Sequence, residues 1–167
     1  YKISDLKRDL ELSAKKQNLE SIKYLLRLML LENGENSEVI TYENIKDLSD
    51  SYEFLRIGAK EGDAEMLFIY GRLLMESDGK LYNPYTGIDY IESAMEKGNK
   101  DAVTYLFNCR NKLSTKELSR LYQNIIKSRT YVGIETATVI GYYSEYDLPF
   151  IEWLYRSLKN LVWVNTF

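Results

Sequence analysis

The chain contains no histidine, one cysteine and two prolines in 167 residues, and each shortage closes a route. Without histidine a Ser-His-Asp or Cys-His catalytic arrangement cannot be assembled, and the common zinc spacings are out of reach. Cys109 has no partner for an internal disulfide, and neither a structural metal nor a cofactor is expected. The phosphate-cradling runs Gly-x-x-x-x-Gly-Lys and Gly-x-Gly-x-x-Gly are both missing, which removes two large nucleotide-binding classes. No Asn-x-Ser/Thr acceptor occurs, an argument against a secreted eukaryotic form.

Long hydrophobic runs are missing too. The longest, Tyr24 to Leu31, is interrupted by Arg27 and is far too short to cross a bilayer. A soluble chain is expected, the cytoplasm being favoured, with a removed leader left open because residue 1 is Tyr. A basic excess is lacking as well: the net charge is −3. Such a field does not draw in phosphate backbones or anionic lipid, so a protein or peptide is expected as partner and no nucleic acid. The basic cluster Lys7, Arg8, Lys15 and Lys16 is interleaved with Asp5, Asp9, Glu11 and Glu20, as on a solvated helix face.

What the chain does hold is material for a helical core. Apolar residues make up 45% and charged residues 28%, a balance that buries a core and leaves no sign of disorder. Helical spacing runs through Ile88, Ile91 and Met95, and through Leu148, Ile151, Leu154, Tyr155 and Leu158, while no segment has strand alternation. Pro84 and Pro149 stand at expected helix starts, and Ser114 with Glu117 has capping-box spacing. Gly-containing segments at 32–44 and 77–83 separate the helical patterns.

Above all, one pattern returns at a fixed period. Phe54, Gly58, Ala59, Gly62, Met66 and Tyr70 share their offsets with Tyr90, Ala94, Met95, Gly98, Ala102 and Leu106, 36 residues on. Ser13, Ala14, Gln17, Ser21 and Leu25 continue the register backwards after a spacing of 45 residues. Asn124, Ser128, Arg129, Val132, Thr136, Ile140 and Gly141 continue it forwards, and Trp153, Ser157 and Leu158 form a last half copy. A period of this length marks stacked helical hairpins. The small residues let helices approach closely, and Gly62 and Gly98 suit the left-handed position that ends one helix and turns into the next.

In Met66 to Gly71, Gly79 with Asn83, and Gly87 to Gly98, the chain resembles the Sel-1-like repeat, a subfamily of the tetratricopeptide-like helical repeats. Phe107 stands where that pattern has Gly, and Met66 and Met95 where it has Ala. The resemblance implies an all-α, right-handed superhelix of about four hairpins, at 1–31, 47–76, 84–111 and 116–146, closed by a helix at 148–163. It also implies a protein-interaction scaffold or adaptor without enzymatic activity.

Projected on such repeats, the concave face receives Glu20, Lys23 and Arg27; then Glu65, Phe68 and Arg72; then Asp101, Thr104 and Asn108; then Glu135, Thr138 and Tyr142. Phe68 and Tyr142 are the expected apolar anchors, Arg27 and Arg72 would orient an acidic group, and Glu65, Asp101 and Glu135 would meet basic ones. Acidic residues also suit the first turn of any helix through its dipole, which offers a purely structural account of that column. The apolar tail with Trp163 and Phe167 either folds back over the last repeat or makes an end-to-end contact. An alternative to the scaffold is an inhibitor or immunity-type protein that neutralises a basic enzyme. The carboxylate pairs Glu61 with Asp63 and Glu43 with Asp47, the Asp78 to Asn83 segment and Cys109 are read as helix ends, a hairpin turn and a packed thiol.

Overall fold

A computed structural model describes residues 2–127, all of whose regular structure is helical. Eight α-helices occur among these residues: α1 (Ile3–Lys15), α2 (Leu19–Glu32), α3 (Tyr42–Ile45), α4 (Tyr52–Lys60), α5 (Ala64–Glu76), α6 (Pro84–Glu96), α7 (Lys100–Asn108) and α8 (Thr115–Lys127). None is long and apolar enough to cross a membrane. The chain divides into two compact units, Tyr1–Ala102 and Val103–Phe167.

Within the first unit the same turn is built three times. Gln17, Gly62 and Gly98 all take left-handed backbone, with φ of 67°, 85° and 88°. Their amides donate to the carbonyls of Ala14, Ala59 and Met95, and the amides of the next residues, Asn18, Asp63 and Asn99, donate back to Ser13, Gly58 and Ala94. Each of those next residues then caps the following helix. The Asn18 side chain accepts from the Ser21 amide, Asp63 from Glu65 and Met66, and Asn99 from Ala102. One helix is closed and the next opened within three residues, by groups that satisfy the orphaned amides and carbonyls of both ends.

Size complementarity across these turns fixes how closely the helices cross. Gly58 lies against Met66: a Cβ there would stand 1.9 Å from the Met66 sulfur. At the matched place in the first turn two serines meet, Ser21 Oγ donating to Ser13 Oγ at 2.7 Å. In the third, Ala94 and Ala102 are both fully buried.

α5 and α6 approach closely through two glycines. A Cβ on Gly71 would meet Ile91 at 2.6 Å and the Gly87 carbonyl at 2.9 Å, and one on Gly87 would meet the Gly71 carbonyl at 2.8 Å. Bare backbone touches bare backbone here, which only glycine at both positions permits. α6 starts with Pro84 in its first turn, and the Asn83 side chain accepts from the Thr86 amide. α5 also packs on α4, and α4 on both α1 and α2. Ile22, Leu25, Leu26, Leu30, Leu55, Leu73 and Ile91 form the core between them, each almost wholly shielded. Two contacts tie successive turns together: Lys23 Nζ to Asp63 Oδ2 at 3.2 Å, and Asn99 Nδ2 to the Ala64 carbonyl at 3.4 Å.

In the second unit, α7 ends in a short 3-10 turn, Arg110–Lys112, where the Arg110 guanidinium lies 4.6 Å from the Phe107 ring centre. Ser114 and Glu117 then form a reciprocal capping box at the start of α8, with bonds of 2.6 and 3.3 Å. The parts of the sequence reading that concern Glu135, Thr138, Tyr142, the 148–163 helix, Trp163 and Phe167 lie outside the described residues.

Candidate functional site

The irregularity in the repeat leads to the site. The 45-residue spacing arises because the connection between α2 and α4 is far longer than the one at 77–83 between α5 and α6. It begins at Gly34, where φ is 83°, and does not stay in solvent. Ile40, Tyr42 and Ile45 are buried, and the one-turn helix α3 packs on α5. A capping box fixes that turn: the Asn44 amide donates to Thr41 Oγ1 at 3.3 Å and the Thr41 amide to Asn44 Oδ1 at 2.9 Å. Asn44 Nδ2 also donates to the Val39 carbonyl at 3.0 Å, and the Tyr52 hydroxyl donates to the Lys46 carbonyl. Residues 38–46 are therefore an anchored strap across one face of α5.

At the centre of the strap the Arg72 guanidinium carbon lies 3.8 Å from the centre of the Tyr42 ring, a cation-π stack. Arg72 Nε donates to Glu76 at 3.0 Å and Nη2 to Glu43 at 3.2 Å. Burial would lower the basicity of this guanidinium, but the Glu76 and Glu43 carboxylates outweigh it and hold the charge. Burial, together with a hydrogen bond to Glu76, pushes the Tyr42 hydroxyl well above the ordinary tyrosine range. Lys46, 2.7 Å from Glu43, holds that carboxyl below the usual range, with Arg72 adding to the effect. Aromatic face, two carboxylates and guanidinium thus form one closed cluster.

Phe68 was expected as an open anchor beside Arg72, and it is only 8% exposed. The reason is that α5 is buried nearly all round, Met66 through Gly71 and Leu73 through Met75 being shielded. Its ring lies 6.0 Å from the Arg72 guanidinium and supports the cluster from within the packing. Arg27 and Glu65, by contrast, are exposed and line one cleft of about 260 Å³ together with Lys23, Glu38, Val39, Ile40, Met66 and Ile69. Ile40, Met66 and Ile69 form its buried apolar floor. Lys23 is paired with Asp63, whereas Arg27, Glu38 and Glu65 make no ion pair among the described residues. Asp101, Thr104 and Asn108 are exposed on α7.

The strap was not legible in the sequence, nor were Ile40 and Tyr42, while Glu43, taken there with Asp47 as a helix-end carboxylate, also bonds Arg72 and Lys46. A signal for part of it was present, since Thr41 followed three residues later by Asn44 has capping-box spacing. The cleft offers fixed charges of both signs over an apolar floor, and no cluster of three metal-ligating side chains occurs among the described residues.

Compared with family models, with curated proteins and with solved structures, the chain gives no match.

Proposed function

We propose that the chain is a non-enzymatic protein-interaction module that binds a peptide segment of mixed charge in the cleft between α2, α5 and the strap. The observation that carries this is the state of Arg27, Glu38 and Glu65: three charges line one cleft without pairing to each other, above Ile40, Met66 and Ile69. Arg72 and Lys23, by contrast, are held in ion pairs with Glu43, Glu76 and Asp63. A bound segment that brings an acidic group to Arg27, basic groups to Glu38 and Glu65 and an aliphatic side chain to the floor meets each of these groups. The repeated Asx-capped turns, and the resemblance to Sel-1-like repeats, support a superhelical array as the frame that presents this cleft.

A site of this size suits micromolar affinity, about −8 kcal/mol. A displayed peptide library selected on the full chain tests the proposal. Enriched peptides should lose binding to Arg27→Ala and Glu65→Ala variants whose circular dichroism is unchanged. Enrichment that is indifferent to both substitutions, or no enrichment at all, overturns it.

A further inference from the structure

The repeat places α2 and α5 in register, so that Glu20, Tyr24, Arg27 and Leu31 occupy the positions of Glu65, Ile69, Arg72 and Glu76. On α5 the two middle positions of this stripe are covered by the chain itself, between the exposed Glu65 and Glu76: Ile69 is buried, Tyr42 stacks on Arg72, and Glu43 pairs with it. On α2 the same stripe is open. Tyr24 is 57% exposed and Leu31 53%, with Arg27 between them one helical turn from each. Val39, also exposed, stands at the edge where the strap meets the cleft that Arg27 lines.

Two differences sharpen the comparison. Arg72 has Glu76 four residues on in its own helix, 3.0 Å away, whereas Arg27 has Leu31 there. Arg27 therefore lacks the internal carboxylate that half-neutralises its counterpart. Glu38 and Glu65 share its cleft, yet no carboxylate among the described residues comes within ion-pair distance of it. In addition, Leu31 and Tyr24 offer apolar contact on either side of the charge, where a ring can lie.

We infer that the open face of α2 takes a partner segment in which an aromatic residue is followed directly by an acidic one, seated on Arg27 as Tyr42 and Glu43 are seated on Arg72. The inference rests on the peptide-binding reading above and names the chemistry of its ligand. The occupant is a short segment of another protein, its ring stacked on the guanidinium, its carboxylate hydrogen-bonded to it, and an aliphatic side chain lying on Leu31. Both requirements come from the Arg72 cluster, which shows this backbone geometry holding that pair of side chains against a matched arginine. A guanidinium stacked on a ring and bonded to a carboxylate gains from both contacts at once, whereas either residue alone leaves one of them unmade.

The test uses a fluorescently labelled peptide with the sequence of residues 38–46, Glu-Val-Ile-Thr-Tyr-Glu-Asn-Ile-Lys, added to the full chain. Binding should appear by anisotropy, with amide shifts on Tyr24, Arg27 and Leu31, and should weaken roughly tenfold or more in Arg27→Ala, the scale of one charge-assisted contact. A peptide carrying Tyr42→Ala and Glu43→Gln should not bind. Absence of binding, or equal affinity for the Arg27→Ala chain, overturns the inference. So does binding that is lost in Arg72→Ala and kept in Arg27→Ala, because the peptide has then replaced the strap. A library selection that yields cleft-dependent peptides without an aromatic–acidic pair overturns this inference alone and leaves the interaction module standing.

Discussion

The guanidinium carbon of Arg72 lies over the ring of Tyr42, 3.8 Å from its centre, which joins a residue of α5 to one in the connection that precedes α4. This contact turns a long linker into part of the core. It acts beside the burial of Ile40 and Ile45 and the bond from the Tyr52 hydroxyl to the Lys46 carbonyl.

Removing the contact should cost the fold substantially. Tyr42→Ala deletes a buried aromatic side chain and is expected to destabilise by about 3 kcal/mol, as other aromatic-to-alanine truncations do. Tyr42→Phe keeps the stack and loses only the hydroxyl bond to Glu76, at a cost near 1 kcal/mol. A double-mutant cycle of Tyr42→Ala with Arg72→Ala, read by urea unfolding, should give a coupling of about 1 to 2 kcal/mol. Additive losses would show that the stack contributes nothing beyond burial.

The sequence made some of this legible and hid the rest for identifiable reasons. Gly62 and Gly98 announce left-handed turns because few other residues adopt that backbone, and Pro84 and Ser114 mark helix starts through local chemistry. Gln17 was placed in the same register from its neighbours alone, and its backbone is left-handed as well. The caps Asn18 and Asn99 went unread although each directly follows a turn residue, whereas Asp63, taken with Glu61 as a helix end, does cap α5. The strap could not be read, since Tyr42 meets Arg72 across 30 positions by tertiary packing and leaves no periodic trace. Phe68 was misplaced because periodicity finds a face only on a helix that has an exposed side, and α5 has little.

Alkaline conditions should unfold the protein in a tyrosine-dependent way. Burial raises the hydroxyls of Tyr42, Tyr52 and Tyr70 above the ordinary value of about 10, with Glu76 adding to the effect at Tyr42. The folded state therefore retains protons that the unfolded chain releases. Stability is fully present below pH of about 10 and falls as pH rises beyond it, because the unfolded state then binds fewer protons. Urea midpoints measured from pH 8 upward should show this decline, and Tyr42→Phe should flatten it. A flat profile in the native chain would contradict the burial of these hydroxyls.

Gln17 offers a stabilising substitution. Among the described residues it alone holds positive φ without being glycine, in a turn whose two counterparts are glycines. Left-handed backbone costs a side-chain-bearing residue about 1 to 2 kcal/mol, and glycine returns part of that as unfolded-chain entropy. Gln17→Gly is expected to raise stability by about 0.5 to 1 kcal/mol, whereas Gly98→Ala, which has open space around it, should lower it by a similar amount through backbone strain alone. Thermal melts of the two variants decide the matter. If Gln17→Gly is neutral, the first turn differs from the others in some stabilising side-chain contact.

The size exchange across the turns makes the sharpest test of the repeat. Gly58 exists because Met66 occupies the space a Cβ would need, 1.9 Å from the sulfur, while the matched pairs are Ser13 with Ser21 and Ala94 with Ala102. Gly58→Ala alone must push aside a flexible thioether and should cost about 1 to 2 kcal/mol through overpacking, despite the higher helix propensity of alanine. Met66→Ala alone leaves a cavity and should cost about 2 to 4 kcal/mol. Combined, they install the Ala–Ala pair of the third turn, and the alanine introduced at 58 fills part of the space that methionine vacates. The double variant should then be more stable than the two single losses predict, by at least about 1 kcal/mol of favourable coupling. Simple additivity in chemical denaturation would mean that the two positions do not share one packing site, and that the match between the three turns stops at their backbones.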